Sequence, residues 1–173
     1  MLKLILSITF ILLTACTSAP QGITAVENFD VERYTGKWYE IARLDHSFER
    51  GLTKVSAEYS LRDDGGINVI NRGYDSENND WQTAEGKAYF VEDAKTGHLK
   101  VSFFGPFYGA YVIFELDQAA YQYAYIAGPN RDYLWLLARQ QSLTNTQKQD
   151  FVASAQAHGF ATEQLIWLDT PPE

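Results

Sequence analysis

An all-β fold is what this 173-residue sequence predicts: an eight-stranded antiparallel up-and-down barrel, one C-terminal α-helix packed outside it, and a short last strand. Two observations predict the barrel. Eight strand-like segments follow one another at regular spacing, at approximately 37–45, 53–62, 66–73, 81–92, 98–104, 109–117, 121–128 and 132–140. The aromatic content is high, with 4 Trp, 11 Tyr and 10 Phe, and such side chains favour strands. A third observation adds the helix, because the one convincing helical signature comes only after the eighth strand.

The elements can be justified in chain order. Residues 1–15 read as a signal peptide. Lys3 supplies a small positive start, and Leu4 to Leu13 form an apolar run of ten residues. That run is too short to span a bilayer, which needs roughly 20 residues. "LTAC" (Leu13 to Cys16) resembles the bacterial lipobox, in which the Cys becomes the acylated first residue of the mature chain. The sequence has no other Cys, so it forms no internal disulfide. Residues 16–28 then read as a lipidated tether, rich in Ser, Thr, Pro and Gly. Its twelve residues after Cys16 could reach at most roughly 40 Å. Thr17, rather than Asp, follows the Cys. That resembles the outer-membrane sorting pattern and points to a lipid anchor on the periplasmic face of the outer membrane.

The barrel domain is expected over 29–170. Turn signals separate its strands: "RDDGG", "DSENND", "EDAKTG", "FGPFYG", "LDQAA" and "GPNRD". Eight antiparallel strands can close around one small ligand and leave no open edge. Thr144 and Gln147 have capping-box spacing for a helix over about 145–158, with Phe151, Val152 and Ala155 on one face. Gly159 suits the C-terminal turn. "EQLIWL" (163–168) reads as the last strand.

In a meander that closes on itself, the first strand begins and the eighth ends at the same end of the barrel. Trp38 and Arg139, though far apart in sequence, should therefore meet there. A guanidinium over an indole is worth about 0.5–2 kcal/mol. The loops at 45–53, 74–80, 104–109 and 128–132 fall at the other end, where Phe48, Phe107 and Tyr108 would rim a mouth. The same aromatics could instead cover the barrel top or join two copies in a homodimer.

Alternation along each strand assigns the inner face. Stepping back from Arg139 gives Leu137 and Trp135. Polar neighbours facing solvent leave Ala57, Tyr59, Ala88, Phe90, Leu99, Val101 and Phe103 facing inward. On the sixth strand, Glu115 facing solvent would put Val112 and Phe114 inside, and a bulge would reverse this. These residues are the candidate ligand-binding set; a filled barrel would show the same alternation.

Composition and motifs narrow the function. A net charge of −8 disfavours nucleic acid, which needs a basic surface. His46, His98 and His158 lack metal-ligand spacing, so no metal and no cofactor is expected. There is no Gly-x-Ser-x-Gly elbow and no phosphate loop. Asp45, His46 and Ser47 are adjacent and cannot form a triad. Glu40 could meet a polar headgroup or act as an acid, or simply pair with an Arg or Tyr.

Gly36-x-Trp38-Tyr39-Glu40 and the terminal Arg139 of "YLWLLAR" resemble the first and third signatures of the lipocalins. With the lipobox, "YSLRDDGGINVINRGY", "GKAYF", "KVSFFGPFYG" and "GPNRDYLWLLAR", the ordered set is similar to the bacterial outer-membrane lipoprotein lipocalins. One departure stands out: the Thr-Asp-Tyr triplet usual between strands six and seven is absent from "LDQAAYQYA". The resemblance implies a membrane-anchored protein, not an enzyme, that binds, stores or transports fatty acids, phospholipids or lysophospholipids. A lipid-modifying enzyme and an envelope scaffold with a filled barrel are the alternatives.

Overall fold

A computed structural model describes residues 17–168. Cys16 and the signal segment lie outside that range. The chain enters through a short helix, α1 (Val31–Tyr34), capped by Asp30, whose carboxylate accepts from the amides of Glu32 and Arg33. No expectation covered this turn, because four residues carry no helical period. Eight strands follow: β1 (Gly36–Arg43), β2 (Leu52–Leu61), β3 (Ile67–Asp75), β4 (Asp80–Phe90), β5 (His98–Phe104), β6 (Phe107–Leu116), β7 (Tyr123–Ala127) and β8 (Leu134–Ala138). Each pairs antiparallel with the next, and β8 pairs with β1 to close the barrel.

The closure is uneven. β1 and β2 pair from Gly36↔Tyr59 only to Tyr39↔Ser56. Beyond that point β2 shifts register, with Lys54 at a φ of 50°. β9 (Ile166–Trp167) then takes up the freed edge of β1 at Ala42 and Arg43. The last strand thus covers backbone groups that β2 abandons.

Two apolar clusters divide the interior. One fills the barrel and includes Trp38, Tyr59, Ile67, Val69, Leu99, Ile113, Ile126 and Leu137. The other lies outside the barrel wall. There α2 (Asn145–Ala157) lays Phe151 and Ala155 against Ile41, Val112, Phe114, Tyr125 and Leu136. Thr144 and Gln147 close the capping box of α2 in both directions.

Residues 17–28, the expected tether, lie along the barrel wall, with Ile23 in the outer cluster and Val26 packed against the inner one. Ile23 is buried, and Ala19 and Ala25 pack beside it. The Val26 amide donates to the Ile113 carbonyl, and its carbonyl accepts from Gly97. Arg131 donates to the Gln21 carbonyl, and His98 lies 2.9 Å from that of Thr17. Composition marked the segment as a linker, but it has enough small apolar side chains and backbone partners to be fixed along the wall.

Candidate functional site

The floor of the barrel is built first. Gly36 has a φ of 88°, which favours glycine, and a Cβ there would approach the Arg139 guanidinium. The next residue but one is Trp38, fully buried. The Arg139 guanidinium carbon lies 4.0 Å from the Trp38 ring centroid. Arg139 also donates to the carbonyls of Lys37, Arg33, Thr35 and Tyr121. It therefore ties α1, β1 and the β6–β7 turn together while shielding the indole. The Trp38 indole N–H donates to the Tyr34 carbonyl at 2.8 Å, and the Tyr34 ring packs 4.7 Å away. The missing Thr-Asp-Tyr triplet leaves no gap here. Tyr121 accepts from the Asp30 amide through its hydroxyl, and Arg33 lies 4.1 Å over its ring.

Above the floor, the hydroxyls of Tyr34, Tyr111 and Tyr59 form a chain at 2.7 and 2.9 Å. Burial pushes all three phenols well above their ordinary range, so they remain neutral donors.

The wall changes character with height. Ala57, Tyr59, Ala88, Leu99 and Leu137 face inward and are buried. Phe90, Val101, Phe103 and Trp135 share the inner face but are only half-buried. Toward the mouth, β3 and β4 present small or polar inner residues. Val69↔Gly86 and Asn71↔Ala84 pair there, and Ala84 is exposed although it points into the barrel. The Asn71 side-chain oxygen is buried with no hydrogen-bond partner. A Cβ on Gly86 would come within 2.8 Å of the Phe103 ring, so only glycine lets that ring lie flat on the wall. The result is a packed floor beneath an upper wall whose inner residues are half-buried or exposed.

Val112 and Phe114 are not part of this wall. They face outward, and Phe114 stacks on Phe160 and meets His158 edge-on under the end of α2. The expectation used the right anchor, since Glu115 does face outward and accepts from Ser154 on α2. A register shift between Ile113 and Glu115 inserts one extra residue, which defeats counting by two. Tyr111, Ile113 and Leu116 are the inward residues of β6.

The mouth contains a buried polar cluster that alternation conceals. Glu40 and Arg43 are three apart, yet a register shift between Glu40 and Ala42 brings both inward. Arg43 donates to the Glu40 carboxylate at 2.8 Å and to the carbonyls of Glu49 and Leu52. Glu49 accepts from the Trp135 indole at 3.1 Å and lies 3.0 Å from the His46 ring nitrogen. Burial pushes the Glu40 carboxyl up, the Glu49 charge adds to this, and Arg43 only partly opposes it. Burial also acts on Glu49, but His46, Trp135 and Arg43 together hold it below the usual carboxylate range. The cluster pins the 44–51 loop to β8. Phe48, 70% exposed, stacks on Tyr133 at the rim. Phe104 and Phe107 continue the rim, whereas Tyr108 turns outward beneath Lys100.

Among the described residues no group of three His, Cys, Asp or Glu could hold a metal ion. No helix among them is long and apolar enough to cross a membrane.

Comparison with known proteins fits this geometry. The model of the lipocalin-like domain matches residues 29–170. The chain is 53% identical to the outer membrane lipoprotein Blc of Escherichia coli K12, covering 92% of this chain and 91% of the relative. It is 52% identical to the protein of the same name from Vibrio cholerae, over 91% and 92% of the two chains. It is 32% identical to temperature-induced lipocalin-1 of Arabidopsis thaliana, over 86% and 84%. In fold it resembles insecticyanin from Manduca sexta, with a TM-score of 0.70 at 21% identity, covering 89% of this chain and 87% of the other. On its barrel, its signatures and these matches, the chain belongs to the lipocalin family.

Proposed function

We propose that this protein binds an acyl-chain lipid in the upper lumen while an acylated Cys16 holds it on the periplasmic face of the bacterial outer membrane. As a lipocalin it is a binding protein and not an enzyme. The observation that carries the lipid reading is the gradient of the inner wall. A sealed floor lies below half-buried Val101, Phe103 and Trp135, with small residues opposite them. An acyl chain would replace water along that surface, at about 0.8 kcal/mol for each CH₂ it buries. Asn71 offers an unpartnered acceptor on the same face. The mouth cluster around Arg43 and Glu49 sets a polar limit beside the rim. Phospholipids, lysophospholipids and fatty acids all combine a chain with a polar end of this kind.

The names of the bacterial relatives, outer membrane lipoproteins, support the anchor. The fixed course of residues 17–28 then has a consequence. With Thr17 held against His98, the barrel would sit directly on the bilayer instead of hanging from a long leash.

Native mass spectrometry of the full chain extracted from bacterial membranes tests the lumen. The expected result is a retained or exchangeable acyl lipid, and at least tenfold weaker retention in a Gly86→Leu variant that keeps its strand circular dichroism, because a Cβ there meets the Phe103 ring and the Ser102 carbonyl at 2.8 Å. A folded barrel that neither carries nor exchanges an acyl chain would overturn the proposal.

A further inference from the structure

A groove lies outside the barrel, where β2 parts from β1. The notch between β2, β1 and Leu168 after β9 is a groove of 620 Å³ lined by Lys37, Tyr39, Lys54, Arg72, Trp81 and Gln141, among others. Register places Tyr39, Ser56 and Arg72 together on the outer face, opposite the inward Trp38 and Ala57. Lys54 reaches the groove from the bulge that opens it.

Three of these side chains are cations, and each rests against an aromatic ring. Lys37 lies 4.9 Å from the Tyr39 centroid, Lys54 5.9 Å from that of Tyr74, and Arg72 5.7 Å from that of Trp81. None of the three is paired with a carboxylate among the described residues. The ion pairs among the described residues are Arg43–Glu40, His46–Glu49, Arg50–Asp45 and Arg62–Asp64. Glu40 borders the groove, but its carboxylate turns inward to Arg43. Glu58 lies across from Lys37 without pairing to it, and Asp75 and Asp80 face each other further along, across the β3–β4 pair. In a chain of net charge −8, three unpaired cations converging on one concave surface form a local anion trap.

We infer that this groove binds the phosphate of an anionic lipid headgroup, separately from the lumen. Lysine and arginine supply the charge and the donors that phosphate oxygens need. Trp81, 48% exposed at the groove's edge, supplies an apolar wall that a free phosphate ion cannot use but the glycerol and first methylenes of a lipid can. Exposed indoles favour the headgroup region of a bilayer.

The test uses the full chain in a nonionic detergent, which also occupies the lumen. Dihexanoyl phosphatidic acid, dihexanoyl phosphatidylcholine and inorganic phosphate are titrated by calorimetry. Phosphatidic acid should bind most tightly, and more weakly as salt rises. Lys54→Gln with Arg72→Gln should weaken it at least tenfold, whereas Lys87→Gln with Lys100→Gln should leave it unchanged. Trp81→Ala should weaken phosphatidic acid more than inorganic phosphate. Equal affinity for phosphatidic acid and inorganic phosphate would overturn the lipid assignment. Unchanged affinity in the Lys54, Arg72 variant, with its melting temperature preserved, would overturn the site. Acyl-lipid retention by that variant in native mass spectrometry should match the wild type, so failure of this site is distinguishable from failure of the lumen.

Discussion

Trp38→Ala probes the floor most directly. The indole is fully buried, and its truncation costs about 3–5 kcal/mol in lost transfer and cavity formation. The Tyr34 carbonyl loses its donor, and Arg139 loses the ring beneath it, a contact worth about 0.5–2 kcal/mol. These contributions overlap, because the same cavity exposes both partners. A total of about 4–6 kcal/mol follows, and at roughly 2–4 °C per kcal/mol for a domain of this size the melting temperature should fall about 10–20 °C. Arg139→Ala should cost a comparable amount, since four backbone carbonyls lose their donor. Urea unfolding of both single variants and the double variant, followed by circular dichroism, gives the coupling energy. It should be at least about 1 kcal/mol for residues that share one cavity and one stacked contact. A Trp38→Ala cost below about 1 kcal/mol, or strict additivity with Arg139→Ala, would refute the plug.

Two further variants separate the mouth from the outer core. Because burial raises Glu40 above its unfolded value, its contribution is full below the ordinary carboxylate range and is lost as pH rises through the folded value. Glu40→Gln removes that loss, so the melting temperature of the variant minus that of the wild type should grow as pH rises above the ordinary carboxylate range; a flat or shrinking difference would refute the reading. Phe151→Ala should cost about 3–5 kcal/mol, because the ring is fully buried against Tyr125. Acyl-lipid affinity measured well below the melting temperature should stay within a factor of two of wild type, and a larger change would show that the outer cluster shapes the lumen.

What was legible in the sequence depended on whether a local rule and the closed barrel agreed. Strand number and order, the capping box of α2 and the meeting of Trp38 with Arg139 all rest on period, turn residues and topology, which act together. Inner-face parity held on stretches away from a register shift, as at Ala57 and Tyr59 or Leu99 and Val101. It failed on β6 because one bulge between Ile113 and Glu115 moves Val112 and Phe114 under α2. A second bulge hid the polar cluster on β1: strict alternation separates Glu40 from Arg43, and the shift at Ala42 unites them. A buried Glu and Arg three apart on a strand was the available hint. Composition could not reveal that residues 17–28 are fixed, because their partners, Ile113, Gly97, His98 and Arg131, are distant in sequence.

These bulges also explain how one small barrel can hold two different sites. A uniform eight-stranded ladder would seal β1 to β2 along its whole length and leave a smooth outer wall. The bulge in β1 draws Glu40 and Arg43 into the mouth, and the shift in β2 at Lys54 lets the two strands part. β9 pairs with Ala42 and Arg43, and Leu168 donates to the Ile41 carbonyl, so the notch persists below Ile41. The stretch from Lys37 to Arg43 therefore contributes in three directions. Trp38 anchors the floor, Glu40 and Arg43 bound the lumen, and Lys37 and Tyr39 face the outer groove. Deletion of the extra residue at Lys54, restoring β1–β2 pairing past Ser56, would close the groove without touching the floor.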